Sequence, residues 1–421
     1  MIARKAYMDE LDKWRGKDVL KIITGIRCSG KTTLLKMYQE HLRSIGVPDE
    51  DIHYINMDSA DAIGVYDSRT LLMHFAGKLQ RKRLNYVFID EVQYVPDFHK
   101  AIAALFAMRV CDIYISGSDS SVLGQSQEEL LSGNIVEIKF FPLSFGEYAS
   151  DYPDTSPVQL FKKYITGSSL PVASMPDPYG VERYLPAVYD SIMMRGALRR
   201  HPMIDMPLLS AVAREIFGSL GKRLPARAIA AQLSSSGRDI GSDMVSACIQ
   251  SLLESYVFCH IGRYDLRAGK YLPAGGKYYA SDAGLCSSVP GTKKNDIGAL
   301  MENAVCMELL RRGYEVRIGE LGAETIDFVA AGSEGISCFQ VARTVVNDAA
   351  SMRDKLSPLS KLPDYVPKYM LTLDFTPMAF YDFYIRHGKK SMQMEAPPVS
   401  DSGIRMMNVI DWILGIGDET A

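Results

Sequence analysis

Three features of the sequence predict an α/β protein with two sheet-bearing regions and a mainly helical stretch between them. Over residues 1 to 145, short apolar runs alternate with helical stretches, the pattern of a parallel sheet covered by helices. A glycine-containing turn separates the first run from the helix after it. From residue 297 a second series runs helix, three strands, helix, strand.

The elements follow in order. Val19–Thr24 is an apolar run of strand length, and Lys31–Ile45 repeats its apolar residues at helical spacing. Ile52–Met57, Tyr86–Asp90 and Ile113–Ser116 supply three further strands. Ile135–Phe140 (IVEIKF) alternates as an edge strand does. Pro153, Pro157, Pro171, Pro176 and Pro178 break the chain between Asp151 and Gly180, marking a domain boundary with a short helix inside it. Residues 181 to 260 are mostly helical. Within them Pro225–Leu233 and Asp243–Ser255, followed by the strand-like Tyr256–Tyr264 and Lys277–Ala280, resemble a winged helix-turn-helix. A helix over Ile297–Arg312 then precedes strands at Glu315–Gly319, Thr325–Ala330 and Ile336–Val341. A helix over Asp348–Leu362 and a strand over Lys368–Asp374 complete the series. The expected domains are 1–150, 151–290 and 291–421.

Composition narrows the class. Apolar residues at 47% and charged residues at 23% are enough for ordinary packed cores. A net charge of −3 and a pI near 6.2 give no global attraction to nucleic acid, so any such binding needs a local patch. The seven cysteines are scattered, with no C-x-x-C pair, which argues against a disulfide framework or a zinc site. The charged first residues are not a secretory leader, and no apolar run reaches the roughly 18–20 residues of a membrane span. A cytoplasmic location without membrane contact is the expectation.

The sequence 25-GIRCSGKT-32 has the spacing G-x-x-x-x-G-K-[ST], directly after a strand and before a helix. Gly25 and Gly30 permit backbone angles that turn successive N–H groups inward around phosphate. The helix N-terminus adds its positive dipole end. This is the phosphate loop of a P-loop NTPase. Gly25, Ile26, Arg27, Cys28, Ser29, Gly30, Lys31, Thr32 and Thr33 are the expected nucleotide contacts, with Lys31 on the β- and γ-phosphates and the Thr32 hydroxyl on Mg²⁺. In 86-YVFIDEVQ-93 an apolar strand ends in two acids: Asp90 to hold Mg²⁺ and Glu91 to activate the attacking water. The fourth strand ends in 113-IYISGSDSS-121, where Ser116 and Ser118 are candidates to sense the γ-phosphate. ATP and Mg²⁺ are the expected cofactors.

With these motifs, the chain resembles a family of prokaryotic AAA+-type ATPases with a winged-helix segment and a C-terminal domain similar to PD-(D/E)xK nucleases. Further residues carrying the resemblance are 139-KFFPLSFGEY-148, 277-KYYASDAGL-285, 301-MENAVCMELLRRGYEV-316, 325-TIDFVA-330, 339-FQV-341 and 367-PKYMLTLD-374. It implies an ATPase core, a helical and winged-helix middle and a restriction-endonuclease-like C-terminal α/β domain. Asn134 stands where the family usually has arginine, and Asp119 where it usually has asparagine. An acid beside the γ-phosphate repels it unless turned away or protonated, so both departures bear on turnover. Arg27, Arg195 and Arg199 are candidate replacements.

The resemblance places a nuclease site at Glu302, Asp327 and Gln340, with Ala342 where the lysine belongs. An uncharged amide and an alanine cannot do the metal and proton chemistry, so the expectation is a fold that has lost cleavage. The winged-helix segment offers Arg195, Arg199, Arg200 and Arg227 as DNA phosphate contacts, against packing as its alternative role. The charge clusters 81-RKR-83, Arg311–Arg312 and 388-GKK-390 are expected to be solvated faces. Cys28 is either a redox brake or a space filler. Three functions fit: a nucleotide-driven conformational switch on a protein or DNA client, an ATP-dependent nuclease, or a nucleotide-gated binding module with little turnover. Oligomerisation is compatible with each.

Overall fold

The structure, a computed structural model, describes residues 2–124, 133–152, 155–174, 178–235, 240–293, 295–345, 349–374, 377 and 402–416, without the side chains of 173, 174, 178–180, 182, 200 and 349–351. The cluster at 388–390 and the Arg200 side chain lie outside this set. The chain divides into two compact units: 1–142 with 191–200 and 254–256, and 143–190 with 201–253 and 257–421.

The first unit is built on a five-stranded sheet. Its elements are α1 (Lys5–Lys13), β1 (Leu20–Thr24), α2 (Lys31–Ser44), β2 (Ile52–Asn56), α3 (Ser68–Ala76), β3 (Asn85–Asp90), α4 (Phe98–Ala107), β4 (Cys111–Gly117) and β5 (Ile135–Lys139). The strand order is β2-β3-β4-β1-β5, parallel throughout, with β5 at an edge as its alternation predicts. Successive side chains point to opposite faces, so each strand feeds two cores. Leu20, Ile22, Val87, Ile89, Ile113 and Ile115 pack with Leu71, Phe75, Ile102 and Leu105 of α3 and α4. Ile23, Phe88 and Tyr114 pack with Leu11, Leu34, Leu35 and Tyr38 of α1 and α2. The long apolar stretch 101–116 is the end of α4, a turn at Arg109 with φ 56°, and β4.

The order matters for function. The carboxyl ends of β3, β4 and β1 are neighbours, so the turns after them converge, as crevices of parallel sheets do. The 139-KFFPL-143 motif fastens one side: Phe140 N–H donates to Thr24 O at 2.6 Å. Arg4 donates to Phe141 O at 2.7 Å and lies 4.2 Å over the Phe140 ring.

In the second unit come α5 (Phe145–Ala149), α6 (Pro157–Thr166), α7 (Pro178–Ile192, its end passing into the first unit), α8 (Met206–Phe217), α9 (Ala226–Ser235) and α10 (Ser242–Glu254). They are followed by β6 (Phe258–Asp265), β7 (Lys270–Ala280), α11 (Ile297–Arg311), β8 (Glu315–Leu321), β9 (Glu324–Gly332), β10 (Gly335–Val341), α12 (Ala349–Ser360), β11 (Lys368–Thr372), β12 (Ile404–Asn408) and α13 (Val409–Ile413). The expected helix-strand order from residue 297 is present, with β12 and α13 added. One mixed seven-stranded sheet, β12-β11-β10-β9-β8-β6-β7, contains all the described strands of this unit. The β6–β7 hairpin joins it through parallel pairing of β6 with β8. The expected boundary at 290 and 291 therefore falls between strands of a single sheet.

Two polar anchors hold this unit. Asp282 is 1% exposed and accepts from Gly284 N–H at 2.7 Å, Leu170 N–H at 3.0 Å, Ser169 N–H at 3.1 Å and the Ser168 hydroxyl. Arg311 and Arg312, expected to be solvated, are largely buried instead. Both pair with Glu308, and Arg312 also donates to Trp412 O at 2.6 Å and lies 4.5 Å over the Trp412 ring. The C-terminal α13 covers Arg312, which its place in the sequence could not show. The cluster 81-RKR-83 is exposed as expected.

Candidate functional site

The phosphate loop joins the carboxyl end of β1 to α2. Gly30 has φ 101°, a left-handed conformation that suits glycine, and starts α2. Gly25 is required for a different reason. A Cβ there would stand 2.1 Å from the carbonyl oxygen of Phe140, which is tied to β1 by backbone hydrogen bonding. Lys31 is 3% exposed and folds onto its own loop, donating to Gly25 O at 2.8 Å and Ile26 O at 3.0 Å. Ile26 is buried, while Thr32 is half-buried and Thr33 exposed. Ser29 is fully buried with no partner for its hydroxyl among the described residues. Cys28 has φ 65° and is itself exposed, while desolvation by the loop around it pushes its thiol pKa up against the pull of Arg27 and Lys31.

The two acids close the other side. Asp90 is completely buried; it accepts from the Ser116 hydroxyl and from Tyr54 at 3.2 Å. Burial raises its pKa, while hydrogen bonds from Ser116 and Thr32 oppose the rise. Thr32 and Asp90, expected to share the metal, are therefore adjacent. Glu91 is 6% exposed and sits at φ 53°, ψ 48°, so the chain turns sharply after β3. Burial works against its charge, but Lys31 and hydrogen bonds from Ser118 and Gln93 outweigh it and hold the pKa below the ordinary value. Ser118 Oγ donates to Glu91 Oε2 at 2.6 Å, and Gln93 Nε2 to the same oxygen at 2.5 Å. Glu91 Oε1 lies 3.7 Å from Lys31 Nζ.

A ring of cations surrounds this centre. Arg27 binds Asp58, Tyr94 at 3.2 Å and Ser191 at 3.0 Å. Arg195, in the π-helical turn Met193–Ala197, donates to the other oxygen of Asp58 at 2.6 Å. Arg199 donates to Gln93 O at 2.9 Å and stands 3.4 Å from Asp119. Asp119 also accepts from Ser121 N–H at 2.8 Å, so its carboxylate caps the next turn and faces an arginine. Asn134 lies elsewhere: its carbonyl accepts from Leu20 N–H at the amino end of β1. The loop follows the carboxyl end, about 15 Å along the strand, so position 134 cannot reach this chain's own site.

Residues 17–149 match a family model described as an AAA domain. An uncharacterized protein of Haemophilus influenzae is 30% identical over 419 residues, which is 98% of this chain and 99% of that protein. The chain belongs to a family of AAA-domain P-loop ATPases. An uncharacterized protein of Methanocaldococcus jannaschii is 23% identical over 313 residues, 70% of this ATPase and 67% of that protein. Among solved structures, a Walker-type ATPase of Pyrococcus abyssi overlaps 69% of this chain and 96% of its own at 16% identity and a TM-score of 0.44. The Aeropyrum pernix ORC1 protein in complex with DNA overlaps 73% of this chain and 94% of its own at 13% identity and a TM-score of 0.34. Neither superposition is close enough to carry an inference about this ATPase.

The residues of the ATPase fit Mg²⁺. Among the described residues no group of three or more His, Cys, Asp or Glu side chains could hold a metal alone. One carboxylate and one hydroxyl are what a Mg²⁺ ion needs when phosphate and water supply its remaining ligands. Asp90 and Thr32 offer that hard-oxygen pair. Among the described residues no helix is long and apolar enough to cross a membrane.

In the second unit of the ATPase, Glu302, Asp327 and Gln340 also come together. Gln340 Oε1 accepts from Asp327 N–H at 3.2 Å. What the sequence reading missed is two lysines. Lys277 of β7 donates to Glu302 at 2.9 Å and lies 3.9 Å from Asp327. Lys355 of α12 donates to Asp327 at 2.7 Å. Tyr279 adds a hydrogen bond of 2.6 Å to Glu302. Burial, then the nearby Asp327 charge, raises the pKa of Glu302. Lys277 lies within 277-KYYASDAGL-285, so the motif carried the signal but not the role. Arg343 is exposed and takes no part.

Proposed function

We propose that this protein is a Mg²⁺-dependent ATP hydrolase whose nucleotide state moves the segment carrying Arg195 and Arg199, and through it a protein or DNA client. The observation that carries the reading is the arginine ring. Arg27 of the phosphate loop and Arg195 share the two oxygens of Asp58, while Arg199 is held by Asp119 and by the turn after Glu91. A γ-phosphate between Lys31 and these arginines competes for the same cations. Binding and hydrolysis would then change where residues 191–200 rest. Gly25 to Thr33 hold the nucleotide, Thr32 and Asp90 the metal, and Glu91 the attacking water, with Ser116 and Ser118 beside it. The three arginines supply positive charge where Asn134 cannot.

The C-terminal region (291–421, with the hairpin before it) acts in this reading as a nuclease-like assembly element without cleavage. Its two acids already have lysine partners, and Gln340 is spent on backbone contacts. A protein client is favoured over DNA, because α10, the candidate recognition helix, contains no lysine or arginine. Turnover of wild type against Glu91→Gln tests hydrolysis, with ATP binding measured alongside. Equal turnover in the two proteins removes the hydrolytic role. Capture of partners by Glu91→Gln in ATP then identifies the client.

A further inference from the structure

We propose that Gln93, with Ser118 beside it, positions the Glu91 carboxylate for hydrolysis and links it to the segment that bears Arg199. The proposal rests on the ATPase reading above. Glu91 leaves β3 in a left-handed conformation, and the next turn, Val92–Tyr94, brings Gln93 back against it. The Gln93 amide nitrogen donates to Glu91 Oε2 at 2.5 Å and to Ser118 Oγ at 3.0 Å. Its oxygen has no partner among the described residues, although the side chain is 8% exposed. A buried amide oxygen without a donor is unfavourable. Rotating the amide would set that oxygen against a carboxylate, which is worse. The side chain is therefore held for its N–H end, and that end serves Glu91.

Two donors on one oxygen leave the other, Oε1, directed at Lys31 at 3.7 Å. They compete with the lysine for the carboxylate and keep the pair from closing. Lys31 and Arg27 are the cations that bear on Glu91, and Asp90, Cys28 and Tyr94 complete its titratable surroundings. The link outward is Arg199. It donates to the Gln93 carbonyl at 2.9 Å and lies 4.7 Å over the Tyr94 ring, so displacement of residues 191–200 pulls on the turn that holds Glu91.

The test measures kcat and KM for MgATP in the full chain for wild type, Glu91→Gln, Gln93→Leu and Ser118→Ala. Gln93→Leu keeps volume and removes the donor; Ser118→Ala removes one atom and guards against loss of fold, which circular dichroism checks. The expected result is a fall in kcat of about tenfold for Gln93→Leu and for Ser118→Ala, with KM within about twofold. Arg199→Leu should reproduce part of the fall in kcat. If Glu91→Gln abolishes turnover while Gln93→Leu and Ser118→Ala keep wild-type kcat, the positioning role is refuted and the ATPase reading stands. If Glu91→Gln turns over like wild type, both fall.

Discussion

Lys277→Met isolates the charge network of the second unit. Methionine retains most of the stem volume, so packing changes little, and the ammonium group is what disappears. Glu302 then keeps only the Tyr279 hydroxyl at 2.6 Å, whereas Asp327 keeps Lys355 at 2.7 Å and Val341 N–H at 2.9 Å. Breaking a buried ion pair costs roughly 3–5 kcal/mol when the orphaned charge stays in place. Glu302 has a cheaper route, which is to take a proton. The ordinary glutamate value is 4.5, and burial and Asp327 already raise it here. Each pH unit above it costs about 1.4 kcal/mol for that proton, so the penalty at pH 7 stays below about 3.4 kcal/mol. The existing upward shift trims this further. The sign follows from a folded pKa raised above the unfolded one: stability is lost as pH rises from 4.5 towards the folded value. The deficit should therefore shrink to under about 1 kcal/mol near pH 5. The chain has two tryptophans, Trp14 in the first unit and the fully buried Trp412 in the second. Urea unfolding read by Trp412 fluorescence in a Trp14→Phe background reports the second unit alone. Adding Glu302→Gln should restore most of the loss. A deficit that is the same at pH 5 and pH 8, or that survives Glu302→Gln, refutes the reasoning.

Three other perturbations address the remaining contacts. Gly25→Ala forces a Cβ to 2.1 Å from the Phe140 carbonyl, so the loop must shift; calorimetric ATP affinity should fall at least about tenfold, with a stability loss of about 1–3 kcal/mol. Asp282→Ala strips the Ser168 hydroxyl and the buried N–H groups of Ser169 and Gly284 of their acceptor, while Leu170 N–H keeps Ser168 Oγ at 3.1 Å, and Trp412-monitored unfolding should show at least about 2 kcal/mol lost. Asp90→Asn should leave ATP binding measurable but remove the Mg²⁺ stimulation of turnover, read as phosphate release against metal concentration.

The first unit was legible because its signals are local. An apolar strand, an eight-residue motif and the helix it opens follow one another without a gap, and the two acids stand at and just after the end of a buried strand. The strand order could not be read, yet it decides what Ser116 and Ser118 do, since β4 lies between β1 and β3. Gln93 was visible two residues after Glu91, but only the left-handed turn brings it back onto the carboxylate. The second unit was legible as elements and not as chemistry. The reading of Ala342 as a missing strand lysine could not show that Lys277 and Lys355 arrive from a hairpin and a helix distant in sequence. Likewise Arg311 and Arg312 look like a solvated pair until Glu308 holds both and α13 covers Arg312.

Each unit thus places a buried carboxylate near a lysine, and the geometry separates their roles. Lys31 lies 3.7 Å from Glu91, and its direct hydrogen bonds go to loop carbonyls. Glu91 is meanwhile held by neutral donors. A phosphate that draws Lys31 away breaks two hydrogen bonds to uncharged carbonyls and a loose ion pair, and Glu91 stays solvated by Gln93 and Ser118. In the second unit the charges are in direct contact, with Lys277 at 2.9 Å from Glu302 and Lys355 at 2.7 Å from Asp327. An incoming metal ion would have to displace both ammonium groups from a site with little water to receive them, and bury their charge unpaired. The first arrangement is built to exchange partners and the second to keep them. The proposed hydrolysis rests on the first, and the proposed assembly role on the second.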